Sequence, residues 1–221
     1  MLPSLCAICR TWPAEPICRD CAGHFAQAKT RCPGCARPWS LTGGRCGHCL
    51  RDDNPLSGCI AALDYAYPWA SLIVDFKFNR HPGWAGPLAA LLARGEGVQA
   101  LLGRCDCLIP VPLSPERLRE RGFNQSLELA RQVAPARLDS RTLLRVRHTT
   151  AQSGLDRAAR LLAMNGAFAV DPLRAARLRG RTVVLMDDVM TSGATLFSAA
   201  RSLLCAGAAE VHGLVLARTP D

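Results

Sequence analysis

Residues 181–195 constrain the fold of this chain more than any other stretch. They read RTVVLMDDVMTSGAT, in which the apolar run 183–186 has the composition of a buried parallel strand. We expect Asp187 and Asp188 to end that strand, and residues 196–204 to form a helix. The segment therefore predicts a strand, an acidic pair, a short loop of small residues and a helix, as in a parallel α/β sheet.

The acidic pair and the loop suit a sugar phosphate. Two adjacent carboxylates at the end of a buried strand need water, a cation or a polyol as partners. The backbone N–H groups of a loop of small residues, together with the next helix amino terminus, bind anions. An ordinary strand–turn–helix corner with acids at its helix cap is the alternative. The loop residues are Thr191, Ser192, Gly193, Ala194 and Thr195.

Eight of the twelve cysteines form four Cys-x-x-Cys pairs near the amino terminus. Each Cys-x-x-Cys pair forms a tight turn, or knuckle, with two sulfurs. Two knuckles together supply the four sulfurs of one tetrahedral site, and thiolate ligands favour zinc. Two structural zinc ions are expected, each shared by consecutive pairs, while pairing of first with third and second with fourth stays open. Disulfides or an iron–sulfur cluster are competing uses of the same residues. The pairs are Cys6/Cys9, Cys18/Cys21, Cys32/Cys35 and Cys46/Cys49.

The cysteine block is predicted to be a module of its own. It has too few apolar residues for a core, so metal binding would supply much of its folding free energy. Four thiolates leave no open position on the ion, which favours a structural or docking role over catalysis. The polar segment 51–58, RDDNPLSG, marks the boundary. The predicted domains are residues 1–54 and 55–221.

Charge and composition narrow the classes of function. The formal net charge is +9, with 25 arginines and 2 lysines, and two zinc sites of four thiolates would lower it to about +5. Arginine suits phosphate recognition, although a coding bias toward arginine gives the same excess. No apolar run is long enough to span a bilayer, and the start lacks the pattern of a secretory signal. A cytoplasmic protein without a transmembrane segment is expected.

Three basic residues are placed to meet a phosphate group. Arg117 and Arg121 share one face of a predicted helix that follows the predicted strand 105–111. Open α/β sheets bind their ligands beyond the carboxyl ends of such strands. Lys77 lies near the end of the predicted helix 68–78. A solvated, charged helix face is the alternative for all three.

The whole chain resembles the ComF family, of the ComFC type. The resemblance rests on the four cysteine pairs, FKFNR around Lys77, VPLSPERLRERGFNQS, RVRHTTAQSGLDRAAR and the acidic segment. That last segment resembles the signature of type I phosphoribosyltransferases for 5-phosphoribosyl-1-pyrophosphate (PRPP). The resemblance implies an α/β fold: a mostly parallel sheet flanked by helices, like that of these transferases, preceded by a small cysteine-rich zinc module.

The resemblance also assigns roles to particular positions. Asp187 and Asp188 would contact the ribose hydroxyls of Mg²⁺-bound PRPP, and residues 191–195 would hold its 5-phosphate. Residues 145–160 would form a flap over the site. The chain departs from the family pattern after the flap, with Ala163 in place of asparagine and Asn165 in place of arginine.

The remaining roles concern charge and catalysis. Lys77, Arg117 and Arg121 are candidates for binding pyrophosphate or nucleic-acid phosphates. No catalytic residue is identified, and no aromatic hood for a nucleobase is evident near the carboxyl terminus. The sequence therefore predicts PRPP binding more firmly than turnover.

The resemblance implies a role in natural transformation. The protein would handle incoming single-stranded DNA in the cytoplasm, at the inner face of the membrane. Its zinc module would dock other DNA-uptake proteins. An active phosphoribosyltransferase with an unknown acceptor and a PRPP-sensing adaptor are the alternatives.

Overall fold

A four-stranded parallel sheet lies at the centre of the computed structural model, which describes residues 4–40, 44–79, 81–146 and 166–220. The strand order is β1-β6-β5-β2, and every pairing in this sheet is parallel. β3 and β4 form a separate antiparallel pair. The predicted mostly parallel sheet is confirmed. The strands are β1 (Gly58–Asp64), β2 (Cys107–Pro110), β3 (Leu143–Arg145), β4 (Phe168–Val170), β5 (Thr182–Met190) and β6 (Glu210–Arg218).

Helices cover both faces of the sheet. The described helices are α1 (Arg19–Phe25), α2 (Gly47–Arg51), α3 (Trp69–Phe78), α4 (Ala85–Ala93), α5 (Val98–Arg104), α6 (Pro115–Arg121), α7 (Gln125–Val133) and α8 (Ala194–Cys205). Val183 and Leu185 of β5 pack in one apolar cluster with α8, whereas Val184 and Met186 pack in a second cluster with α3, α4 and α7. Burial on both faces explains why β5 reads as a continuous apolar run. None of these helices combines the length and the apolar composition needed to cross a bilayer.

β5 is longer than the sequence indicates. We expected Asp187 and Asp188 to end the strand, but it continues through Val189 and Met190, which lie opposite Ala217 and Arg218 of β6. The reason is the equally long partner strand, because its backbone groups continue the parallel ladder past the carboxylates. The acidic pair therefore lies inside a strand, whose rigid backbone positions both side chains.

Local sequence signals determine where α6 and α7 begin and end, next to the carboxyl ends of the strands. The side chain of Asn124 accepts hydrogen bonds from the backbone N–H groups of Ser126 and Leu127 and so caps α7, a position that asparagine favours. Ser114 caps α6, and Gly122 ends it with φ of 79°. Both helices consequently begin near the carboxyl end of β2.

The two cysteine quartets differ in their surroundings. The second quartet, Cys32, Cys35, Cys46 and Cys49, is buried in the same apolar cluster as Cys59 of β1 and residues of β5 and α8. In the first quartet, Cys6, Cys9, Cys18 and Cys21, Cys9 is exposed and Cys18 is half-buried. The second quartet is thus continuous with the core of the sheet domain.

This difference predicts unequal effects on stability. Cys35→Ser should lower the free energy of unfolding by roughly 3 kcal/mol or more, because it removes a predicted zinc ligand from the core. For a chain of this size that corresponds to roughly 6–12 °C in melting temperature. Cys9→Ser should shift the main transition by less than half as much. Calorimetry of the zinc-loaded protein checks this, with the exposed Cys205→Ser as control. Equal shifts for the two quartet variants would contradict it.

Candidate functional site

The acidic pair is held by contacts from two helices. The Asp187 carboxylate accepts a hydrogen bond from the Ser126 hydroxyl of α7 at 2.9 Å and another from the Asp188 backbone N–H at 2.9 Å. The Asp188 carboxylate lies 3.1 Å from the Lys77 ammonium of α3 and accepts a hydrogen bond from the Val189 N–H at 2.6 Å. Folding therefore brings one of the predicted basic residues into direct contact with the pair.

Burial disfavours ionisation of the acidic pair. Desolvation, and then repulsion from Asp188, raise the pKa of Asp187 to about 7, although Lys77 and the Ser126 hydrogen bond act in the opposite direction. At neutral pH the Asp187 carboxyl is consequently only partly ionised. Such a group gains from any ligand that brings hydroxyl donors or a cation to this edge.

The 191–195 loop turns sharply into α8. Gly193 has φ of 88°, and a Cβ there would lie 2.7 Å from the Met190 side chain and 2.8 Å from the Phe197 ring. Only glycine fits there, because the φ angle is positive and the Met190 and Phe197 side chains occupy the space that a Cβ would need. The first helical hydrogen bond runs from the Phe197 N–H to the Gly193 carbonyl. The preceding N–H groups form the amino terminus of a twelve-residue helix, which favours an anion.

The predicted basic residues occupy different positions around the pair. Lys77 is partly buried against Asp188. The Arg121 guanidinium donates a hydrogen bond to the Gln125 side chain at 2.9 Å and lies 5.1 Å from the ring centre of Phe78, the residue after Lys77. Arg117, one turn earlier on α6, is half-buried. The structure thus places α3 and α6 side by side at this edge.

Two further residues join the site: Ser126, which the sequence did not single out, and Arg145, the first residue of the predicted flap. Ser126 follows the capping Asn124 within the segment RGFNQS, but its bond to Asp187 depends on how α7 packs on β5. Arg145, at the end of β3, lies 5.4 Å from the ring centre of Phe168. Burial and repulsion from Arg117 lower the pKa of Arg145, while Asp187 and Glu116 raise it. Arg145 therefore interacts electrostatically both with the acidic pair and with α6. The predicted flap from residue 147 onward, with Ala163 and Asn165, falls outside the described residues.

The cysteines assemble as consecutive pairs, as favoured from the sequence. Within each quartet all four sulfurs lie within 4.8 Å of one another. Four sulfur–sulfur distances, Cys9–Cys18, Cys32–Cys49, Cys35–Cys46 and Cys46–Cys49, are 3.7, 3.8, 3.6 and 3.7 Å. A tetrahedral ion with metal–sulfur bonds of about 2.3 Å requires about 3.8 Å between sulfurs, whereas a disulfide requires about 2 Å. The two quartets can therefore each hold a zinc ion.

Hydrogen bonds to sulfur support both quartets. The Cys18 N–H donates to the Cys6 sulfur at 3.4 Å, and the Cys46 N–H donates to the Cys32 sulfur at 3.1 Å. The buried Asn54 side chain donates to the Cys49 sulfur at 3.3 Å and to the Gly34 carbonyl at 2.7 Å. Such second contacts stabilise thiolates and orient them toward a metal.

Known proteins are similar to this chain over most or all of its length. The phosphoribosyl transferase domain family matches residues 124–221, which include α7, the acidic pair and the 191–195 loop. "DNA utilization protein YhgH" of Escherichia coli O6:H1 is 34% identical, with 99% of this chain and 98% of the relative covered. "Competence protein F" of Haemophilus influenzae is 30% identical, with 90% of each chain covered.

A third relative is "Competence protein ComFC" of Bacillus subtilis, which is 30% identical, with 94% of this chain and 86% of the relative covered. The chain therefore belongs to the ComF family of phosphoribosyltransferase-like proteins.

Proposed function

We propose that the site around the acidic pair and the 191–195 loop, at the carboxyl end of the sheet, binds PRPP together with Mg²⁺. The observation that carries the proposal is the acidic pair, held in β5, beside a short loop that leads into the amino terminus of α8. The 191–195 amides would bind the 5-phosphate, and Asp187 and Asp188 would accept hydrogen bonds from the ribose hydroxyls. Mg²⁺ would neutralise the pyrophosphate oxygens. The match to the phosphoribosyl transferase domain family over this segment supports the assignment.

The basic residues divide into two groups in this proposal. Lys77 is bound to Asp188, so it orients the carboxylate that the ribose would meet. Arg117 of α6 and Arg145, which interacts electrostatically with Arg117 and with Asp187, would meet the pyrophosphate. Arginine suits this task because its planar guanidinium binds phosphate oxygens in pairs.

We also propose a structural zinc ion in each quartet. Sulfur–sulfur distances of 3.6–3.8 Å support zinc over disulfides. Four thiolates complete the coordination of each ion. The zinc ions would therefore stabilise the structure and would not bind PRPP themselves.

PRPP binding should depend on both carboxylates. Asp187→Asn/Asp188→Asn should weaken PRPP–Mg²⁺ binding at least about 100-fold, because two hydrogen bonds to charged groups are weakened. Isothermal titration of the zinc-loaded protein measures this. The matched control is Asp106→Asn, since Asp106 binds Arg181 and the Thr182 N–H at the amino ends of β2 and β5, far from the acidic pair. Wild-type affinity in the double variant would remove the site assignment.

The affinity should also depend on pH with a definite sign. The pKa of Asp187 is raised to about 7, so the ionised acceptor forms as the pH rises through 7. PRPP affinity should therefore increase roughly tenfold between pH 6 and pH 8. Asp187→Asn should bind more weakly but lose this part of the pH dependence, which separates it from titration of the ligand's own phosphates. An unchanged slope in Asp187→Asn would show that another group titrates.

We infer that single-stranded DNA is the second ligand, along α6 and the end of α3. Relatives named as DNA-utilization and competence proteins support this inference. Arg117 and Arg121 supply positive charge, and the Phe78 ring, 54% exposed and beside Arg121, offers a surface on which a base can stack. Because these residues border the acidic pair, DNA and PRPP should compete for this edge.

DNA affinity should depend on α6 and on salt. Arg117→Ala/Arg121→Ala should reduce the binding of a labelled single-stranded oligonucleotide and lower the magnitude of its salt slope by about 1.4, since two phosphate contacts are lost. The control is Arg119→Ala, because Arg119 is exposed on the same helix and lies 3.6 Å from Glu116. Fluorescence anisotropy at several salt concentrations checks this. If Arg119→Ala and the double variant behave alike, the α6 assignment is wrong.

A further inference from the structure

One buried cation joins the second cysteine quartet to the 191–195 loop. Arg218, the last residue of β6, is 0% exposed. Its Nε donates a hydrogen bond to the Cys35 carbonyl at 3.1 Å, and its Nη1 donates to the Met190 carbonyl at 3.2 Å. Cys35 belongs to the quartet, and Met190 immediately precedes Thr191. A single guanidinium therefore links the metal knuckle to the base of the loop.

The Met190 side chain makes a second connection between the same two places. Its sulfur lies 3.8 Å from the sulfur of Cys59, whose backbone N–H donates to the Pro33 carbonyl within the second quartet's first knuckle. On its other side, the Met190 methyl group fills the space where a Cβ at Gly193 would lie. Both the backbone and the side chain of Met190 are thus fixed between the quartet and the loop.

Metal in the second quartet would fix the same knuckle that this link holds. One ion bound by all four sulfurs would join Cys32 and Cys35 to Cys46 and Cys49. Without the metal, the hydrogen bond from Arg218 holds the Cys35 carbonyl of a knuckle that has lost this anchor.

The first quartet has no comparable route to the loop. The hydrogen bonds that the structure describes for its cysteines stay within residues 6–22. Its neighbours Ile17 and Ala22 pack in the apolar cluster on the opposite face of the sheet from α8. Metal in the first quartet should therefore leave the loop unchanged.

We propose that Arg218 is a positioning residue through which metal in the second quartet fixes the conformation of the 191–195 loop. The first quartet has no such control over the loop. The proposal rests on the proposed function only where PRPP binding is the readout. Hydrogen exchange of the loop amides tests it without any ligand.

The first experiment removes the link at Arg218. Arg218→Met removes the guanidinium, whereas Arg218→Lys keeps the charge but replaces the two nitrogens that bind the two carbonyls by one. Arg137→Met is the matched control. Arg137 also donates to two backbone carbonyls, those of Leu102 and Cys105, but these lie just before the amino end of β2. Both Arg218 variants should speed exchange at residues 191–195 and weaken PRPP–Mg²⁺ binding at least tenfold, with exchange in the middle of β5 unchanged. Arg137→Met should leave both within twofold of wild type.

The second experiment removes the metal without changing Arg218. Cys9→Ser protein retains an intact second quartet, so a chelator then acts on that site, with released zinc measured against a metal-binding dye. Loop exchange should match wild type before chelation and rise in proportion to the zinc released afterwards. This arm decides the matter if Arg218→Met does not fold.

The outcomes separate the two proposals. Wild-type loop exchange and affinity in Arg218→Lys, or loop exchange that does not follow zinc release, would overturn the role of Arg218. Equal loop exchange in Cys9→Ser and in the chelated protein would overturn the distinction between the quartets. If PRPP fails to bind the wild-type protein while loop exchange still follows the metal, the proposed function falls and the inference on Arg218 stands.

Discussion

The parallel pairing of β5 with β6 is the interaction on which the rest of the structure depends. It runs from Thr182 opposite Glu210 to Met190 opposite Arg218. Because the ladder continues past the acidic pair, the carboxylates rest on a rigid strand and the 191–195 loop starts from a fixed point. The same ladder places Arg218 beside Met190, and so connects the loop to the second quartet. Site, loop and metal module therefore share one structural base.

Burying two adjacent carboxylates is costly, and the surrounding helices offset much of that cost. Lys77 of α3 faces Asp188, Ser126 of α7 faces Asp187, and α8 presents its amino terminus beside them. The raised pKa of Asp187 shows that the compensation is incomplete without a ligand. A polyol phosphate with a divalent cation would supply the missing hydroxyls and charge. This is the physical reason for proposing PRPP at this edge.

Local sequence signals predicted much of the fold, but few of the long-range contacts. The strand–loop–helix segment, the cap at Asn124 and the consecutive pairing of cysteines all follow from short spacings, and the structure confirms them. The end of β5 depends on the length of its partner β6. The residue pattern within β5 carries no information about that length. Arg218 and Ser126 lacked any local signal, because their partners come from distant segments that only packing brings together.

A crystal structure of the zinc-loaded protein with PRPP and Mg²⁺ tests the proposed site most directly. The 5-phosphate should lie within hydrogen-bond distance of the 191–195 amides, and the ribose hydroxyls should lie against Asp187 and Asp188. Arg218 should still be bonded to the Cys35 and Met190 carbonyls. PRPP bound elsewhere on the chain, with this edge holding only water, would contradict it.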